Sequence, residues 1–191
     1  TNGELDEELT TIASRLMEAY PSIVSMIHSV NTVDGTNIGR SFKVIKGKKT
    51  IQEKLGNLTF SISPPAFFQV NVEQMKVLYD QVVTYANLQG TETVLDLYCG
   101  TGTISLFLAE HARYVHGIEE VAMAIEDATT NARLNGVANV KFHAGKVETV
   151  LPAMLEAGAK ADVIVLDPPR QGCDRNVLEA ATAMNPSCMV Y

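Results

Sequence analysis

Only three cysteines occur in the 191 residues, Cys99, Cys173 and Cys188, and no two of them form a CxxC pair. An odd number without paired spacing argues against a disulfide framework, a structural zinc site and an iron–sulfur cluster. The thiols are therefore expected to be reduced. Long apolar runs are missing too. Stretches such as Val163 to Leu166 are far shorter than the roughly 20 residues a bilayer requires, and no signal layout opens the chain, so no membrane partner and a cytoplasmic location are expected. Basic residues are in the minority, 15 Lys and Arg against 22 Asp and Glu, for a formal charge of -7. That balance excludes a protein that grips nucleic acid over its whole surface. It leaves one local exception: Arg40, Lys43, Lys46, Lys48, Lys49 and Lys54 face only Glu53 between residues 40 and 54, around an expected turn at Gly47. This stretch reads either as a solvated hairpin tip or as an RNA-facing patch.

What is present suffices for a core, since 46% of residues are apolar. There is no internal repeat or low-complexity segment. From Glu4 to Tyr20, Leu5, Leu9, Ile12 and Leu16 recur at helical spacing before Pro21. Short β-rich stretches follow at 23–30, 41–45, 50–55 and 58–62, broken by Asp34-Gly35, Gly39, Gly47 and Gly56-Asn57. A small α+β unit over residues 1–62 is expected, joined through Ser63-Pro64-Pro65 to a second domain over 63–191. The second domain opens with a helix from Val72 to Ala86 whose apolar face is expected to include Met75, Leu78, Val82 and Val83.

From Thr93 the pattern repeats as apolar strand, turn and helix, with strands expected at 94–97, 115–118, 140–142, 163–166 and 189–191. Near-continuous Val, Ile and Leu strands alternating with helices specify a doubly wound α/β sheet, parallel and covered on both faces. Ligands then sit beyond the carboxyl ends of the strands. The first of these strands ends in Asp96-Leu97-Tyr98-Cys99-Gly100-Thr101-Gly102-Thr103, where two glycines admit close backbone approach. The second ends at Glu119, 17 residues after Gly102, where an acid can accept hydrogen bonds from ribose hydroxyls. Ser105 stands where the dinucleotide fingerprint wants Gly or Ala, and Asp96, Glu119 and Asp167 would repel a pyrophosphate. S-adenosylmethionine, with a sulfonium, an ammonium and no phosphate, suits that rim better than NAD. The fourth strand ends in Asp167-Pro168-Pro169-Arg170, and the prolines hold the carboxylate in an extended backbone.

Four strings carry a resemblance. They are Ser63-Pro64-Pro65-Ala66-Phe67-Phe68-Gln69-Val70-Asn71, the Asp96 to Thr103 segment, Gly117-Ile118-Glu119, and Leu166-Asp167-Pro168-Pro169-Arg170-Gln171-Gly172-Cys173. In order and spacing the chain resembles the RumA/TrmA-type RNA uracil-5-methyltransferases. The resemblance implies a Rossmann-like class I methyltransferase sheet, incomplete at about five strands. It implies S-adenosylmethionine as cofactor, bound by Gln69, Tyr98, Gly100, Thr103, Glu119 and Asp167, with Phe67 beside the target uracil. RNA is the implied partner, ribosomal (23S) rather than transfer RNA. Lys146 stands where the family often has an acid reading the adenine.

In such a reaction a cysteine thiolate adds to carbon 6 of uracil, carbon 5 attacks the methyl group, and a glutamate removes the carbon 5 hydrogen. By family position that cysteine and glutamate are expected after Tyr191, so Cys173 and Cys188 are bystanders and this chain alone is expected to be inactive. Two alternatives stand beside this reading: an exocyclic-amine methyltransferase acting on nucleic acid, which would want an aromatic where Arg170 stands, and a cofactor-binding module without turnover.

Overall fold

The computed structural model of the chain describes residues 7–30, 41–64, 66–69 and 71–191. The expected start of the first helix at Glu4, the turns at Asp34-Gly35 and Gly39, the basic Arg40, and Pro65 of the joint lie outside the described residues. The chain divides into two compact units, one over residues 1–53 and 61–66, the other over 54–60 and 67–191.

In the smaller unit, helix α1 (Glu7–Ala19) carries Glu7 and Glu8 in its first turn, where acids favour the positive end of the helix dipole. Strands β1 (Ser25–Val30) and β2 (Ser41–Gly47) pair antiparallel. The helix is where the spacing put it, but its apolar face is turned. Ala13 is its buried residue, with Leu9 and Met17 half-buried, whereas Ile12 and Leu16 are exposed. A single helix on a two-stranded ribbon has only a narrow strip to bury, and Ala13 is the residue that takes it. Strands β3 (Ile51–Leu55) and β4 (Leu58–Ile62) form a second two-stranded sheet.

In the larger unit the hairpin tip over 54–60 is tied to the end of a later helix by one side chain. Asn135 accepts the Thr59 amide proton at 2.8 Å and donates to the Thr59 carbonyl at 2.8 Å, standing in for a neighbouring strand. Helix α2 (Val72–Ala86) begins at Asn71, whose side chain caps the Gln74 amide. Its buried residues are Met75, Tyr79 and Ala86, and Leu78, expected on that face, is exposed.

Then follow β5 (Thr93–Leu97), α3 (Thr103–Ala109), β6 (Tyr114–Glu119), α4 (Ala122–Leu134), β7 (Val140–Ala144), α5 (Val147–Glu156), β8 (Val163–Leu166), α6 (Arg175–Ala183) and β9 (Cys188–Val190). The five strands form a parallel sheet in the order β7-β6-β5-β8-β9. All four residues of β8 are buried, as both-face cover requires. On one face Leu95, Leu97, Ile118, Ile164 and Leu166 pack with Val147 and Leu151 of α5 and Val177 and Ala181 of α6. The winding runs outward from β5 to β7, then returns to β8 beside β5. The switch point therefore lies at the carboxyl ends of β5 and β8.

Candidate functional site

The expected site residues converge at that switch point. Phe67, Gln69, Tyr98, Gly100, Thr103 and Asp167 line one cavity of about 70 Å³, together with Phe68 and Tyr79. Phe67 is 77% exposed at its mouth. Glu119 is not among the lining residues, but its carboxylate is joined to them: Oε2 accepts the Gly100 amide proton at 3.2 Å and Oε1 that of Val121 at 2.9 Å. The acid thus fastens the glycine turn to the end of β6. A carboxylate offers about four acceptor positions, so two remain free for hydroxyl donors.

The turn is built on unusual backbone. Tyr98 has φ 67 and Gly102 has φ 79, and a side chain at Gly102 would meet Phe142 Cζ at 2.8 Å. Gly102 therefore has to be glycine on two counts, conformation and space. At Gly100, by contrast, nothing lies within 4 Å of where a Cβ would be, so that backbone faces open space. A tyrosine at positive φ is sparsely populated elsewhere and is held here by its side chain, whose hydroxyl donates to Glu148 Oε1 at 3.1 Å.

Beneath the turn Asp96 is fully buried. Oδ2 accepts the Ser105 hydroxyl at 2.5 Å, while Oδ1 has no partner among the described residues. Burial pushes its pKa up to about 7, against the Ser105 hydrogen bond and with help from the charges of Asp167 and Glu119. Asp167 opens the segment after β8, and the partial burial of its carboxyl raises its pKa as well. Asp167 lines the cavity, Glu119 is fastened to its glycine turn, and Asp96 lies buried close enough to both to feel their charge. This concentration of acidic groups favours a cationic guest.

Sequence reasoning missed Tyr79, whose hydroxyl lies 3.0 Å from Thr103 Oγ1 and whose pKa burial lifts to about 12. It also missed Glu148, since only the fold brings α5 to Tyr98. Lys146 is exposed at the start of α5.

Cys188 opens β9, at the opposite end of the strand from the switch point, with its thiol 3.5 Å from the Tyr85 carbonyl. Cys173 lies by Tyr98 and the buried core, and burial raises its thiol pKa. Cys99 is buried and raised further. Among the described residues no cluster of three or more His, Cys, Asp or Glu is arranged for a metal ion, and no helix is long and apolar enough to cross a membrane.

The family model described as a methyltransferase domain matches residues 88–189. An uncharacterized RNA methyltransferase of Halalkalibacterium halodurans is 48% identical over 193 residues, which take in 100% of this chain and 42% of that protein. Another from Oceanobacillus iheyensis is 50% identical over 186 residues, 96% of this chain and 40% of the relative. Among solved structures, the Pyrococcus abyssi tRNA (uracil-54, C5)-methyltransferase in complex with S-adenosyl-L-homocysteine aligns over 98% of this chain and 43% of its own, at 25% identity and a TM-score of 0.74. The chain spans about two fifths of the length of the curated relatives it matches.

Proposed function

This chain belongs to the methyltransferase-domain family, and from that membership we propose that it binds S-adenosylmethionine at the carboxyl ends of β5, β6 and β8 and serves methylation of carbon 5 of uracil in RNA. The observation that carries the donor assignment is the orphaned Asp96 oxygen beside Asp167, under a glycine turn whose Gly100 backbone faces open space. Carboxylates without a phosphate-binding loop suit a ligand with two positive charges. When bound, that donor supplies a methyl group on a sulfonium sulfur.

This chain's own residues do the rest of the holding. Glu119 offers its free acceptor positions to the ribose hydroxyls while keeping the turn in place. Asp96 and Asp167 offset the cationic end, and Gln69, Tyr98 and Thr103 close the cavity round it. Phe67, exposed at the mouth, offers an aromatic face to the target base.

The uracil reading is supported by the four sequence strings and by the likeness to a uracil-54, C5 enzyme. RNA as substrate class is supported by the names of the relatives. Ribosomal RNA is the sequence expectation, and transfer RNA is what the archaeal neighbour acts on.

The covalent step needs a thiolate, and the raised pKa of Cys99 and Cys173 and the far-end position of Cys188 disfavour all three. Residues 1–191 are therefore proposed to bind the donor without transferring its methyl group. Labelled donor, uridine-containing RNA and mass spectrometry of the digested nucleosides test the reading. A relative of full length should yield 5-methyluridine, mapped to ribosomal or transfer RNA, and residues 1–191 alone should yield none. Methylated adenosine or cytidine amines would favour the exocyclic-amine alternative instead.

A further inference from the structure

The smaller unit carries a feature that the donor cleft does not use. Strand β1 pairs Met26 with Lys46 and then Ile27 with Val44, so Ile45 is the extra residue of a β-bulge. Side chains alternate between faces along a strand, and two lysines three residues apart would point to opposite sides of a regular one. Here Lys43 stands opposite His28 and Lys46 opposite Met26, two residues of the same face of β1. The bulge thus brings Lys43 and Lys46 onto one face, and both are exposed.

The next residues are fixed just as firmly. Gly47 has φ +90, and a Cβ there would sit 2.4 Å from the Val24 carbonyl, so the chain turns tightly against β1. Lys48 donates its amide proton to Val24 at 3.0 Å and accepts the Ser25 hydroxyl on its own carbonyl at 2.7 Å. Lys48 and Lys49 are exposed beyond this pinned turn. The ion pairs among the described residues join Lys76 to Asp80 and Arg175 to Glu179, so none of these four lysines is ion-paired to another described residue. Four exposed lysines on one ribbon, in a chain of net charge -7, are a concentrated positive field where the rest of the sequence is acidic.

We propose that Lys43 and Lys46 on the bulged face of β2, with Lys48 and Lys49 at its turn, form a contact surface for the phosphate backbone of the RNA substrate. The assignment rests on the RNA reading above. Ammonium groups on flexible stems are point charges without the planar fork of arginine, so the contact is indifferent to base sequence and sensitive to salt.

The test is fluorescence anisotropy of a labelled uridine-containing RNA hairpin across a salt series. It compares the unaltered chain, the quadruple Lys43→Ala, Lys46→Ala, Lys48→Ala, Lys49→Ala variant, and a Lys141→Ala, Lys160→Ala control from the other unit. Removing one phosphate-binding lysine should flatten the log-log salt slope by about 0.7 to 0.9, and removing all four by about 3, with the control unchanged. An equal slope in the quadruple variant and the control overturns the proposal, as does absence of salt-dependent binding by the unaltered chain. A parallel titration with polyglutamate gives the other occupant its chance: an effect of the substitutions on that peptide and not on RNA also overturns it. Calorimetry with S-adenosylhomocysteine on the same variant separates the two readings, because donor-site affinity should be untouched whichever way the RNA result falls.

Discussion

Ser105 donates its hydroxyl proton to Asp96 Oδ2 over 2.5 Å, at a point where both side chains are fully buried. The serine takes the place of the third glycine of a dinucleotide fingerprint, and the structure gives it a use: it satisfies half of a buried acid and leaves the other half open. The open half is Oδ1.

A first prediction concerns proton release. Asp96 holds its proton up to about pH 7 in the free protein. A cation nearby favours the ionised form, so binding the charged donor should expel that proton, and affinity should tighten as pH rises through about 7. Calorimetry across that range, repeated in buffers of different ionisation enthalpy, checks it. Asp96→Asn should flatten the profile, and an unaltered profile in that variant would remove Asp96 from donor recognition. In the ligand-free chain the sign is opposite: the unfolded acid ionises near its ordinary 3.8 and the folded one at about 7, so this group's contribution to stability declines as pH rises through that window.

A second prediction concerns the acid side. His116 Nδ1 and His143 Nε2 lie 3.0 Å apart on neighbouring β6 and β7. Both pKa values are pushed down by partial burial, with His143 and Lys141 adding to the effect on His116 and Lys141 to that on His143. The unfolded histidines gain protons from about 6.5 downward while the folded ones resist, so stability present above that pH is lost as pH falls through it. Melting temperatures from about pH 7.5 to 5.5 should fall less steeply in His143→Gln. Identical slopes would mean that the pair does not titrate with unfolding.

A third prediction concerns the hairpin tip. Asn135 supplies both hydrogen bonds that bind Thr59 to the end of α4, and its truncation strands two backbone groups. Asn135→Ala should cost about 1 to 3 kcal/mol in denaturant unfolding. A loss well under that range would indicate that water replaces the side chain without penalty.

Much of this architecture could be read before the structure, for a definite reason. Strand β8 is a run of Val, Ile and Leu buried on both faces, and β5 is apolar and buried but for the half-buried Thr93 and the buried Asp96, a signal that owes little to context. Strand β6 shows it more weakly through Val115 and Ile118, and the Gly100-Thr101-Gly102 turn marks itself. The helices α1 and α2 were legible as helices, but not in their orientation. In α2, Met75, Val77, Leu78, Tyr79, Val82, Val83 and Tyr85 circle the axis, so the choice of Met75 and Tyr79 over Leu78 belongs to the packing partner. Tyr98 and Glu148 are 50 residues apart, and nothing local announces that a tyrosine at positive φ will reach across the sheet to α5. The β2 bulge is equally silent in sequence, although the lysines it aligns are plain to see.

If Glu119 and the glycine turn it fastens hold the nucleoside of S-adenosylmethionine, removing that carboxylate must weaken donor binding without unfolding the chain. Isothermal titration of S-adenosylhomocysteine into the unaltered chain and into Glu119→Ala measures this, with NAD as a comparison ligand and melting curves to confirm that the variant folds. Expected are binding of the thioether, none of NAD, and a loss of roughly 1.5 to 3 kcal/mol on removing the carboxylate, about 10- to 100-fold in Kd. Unchanged affinity in a folded Glu119→Ala variant, or NAD binding at the same site, would contradict the assignment of Glu119 to the donor.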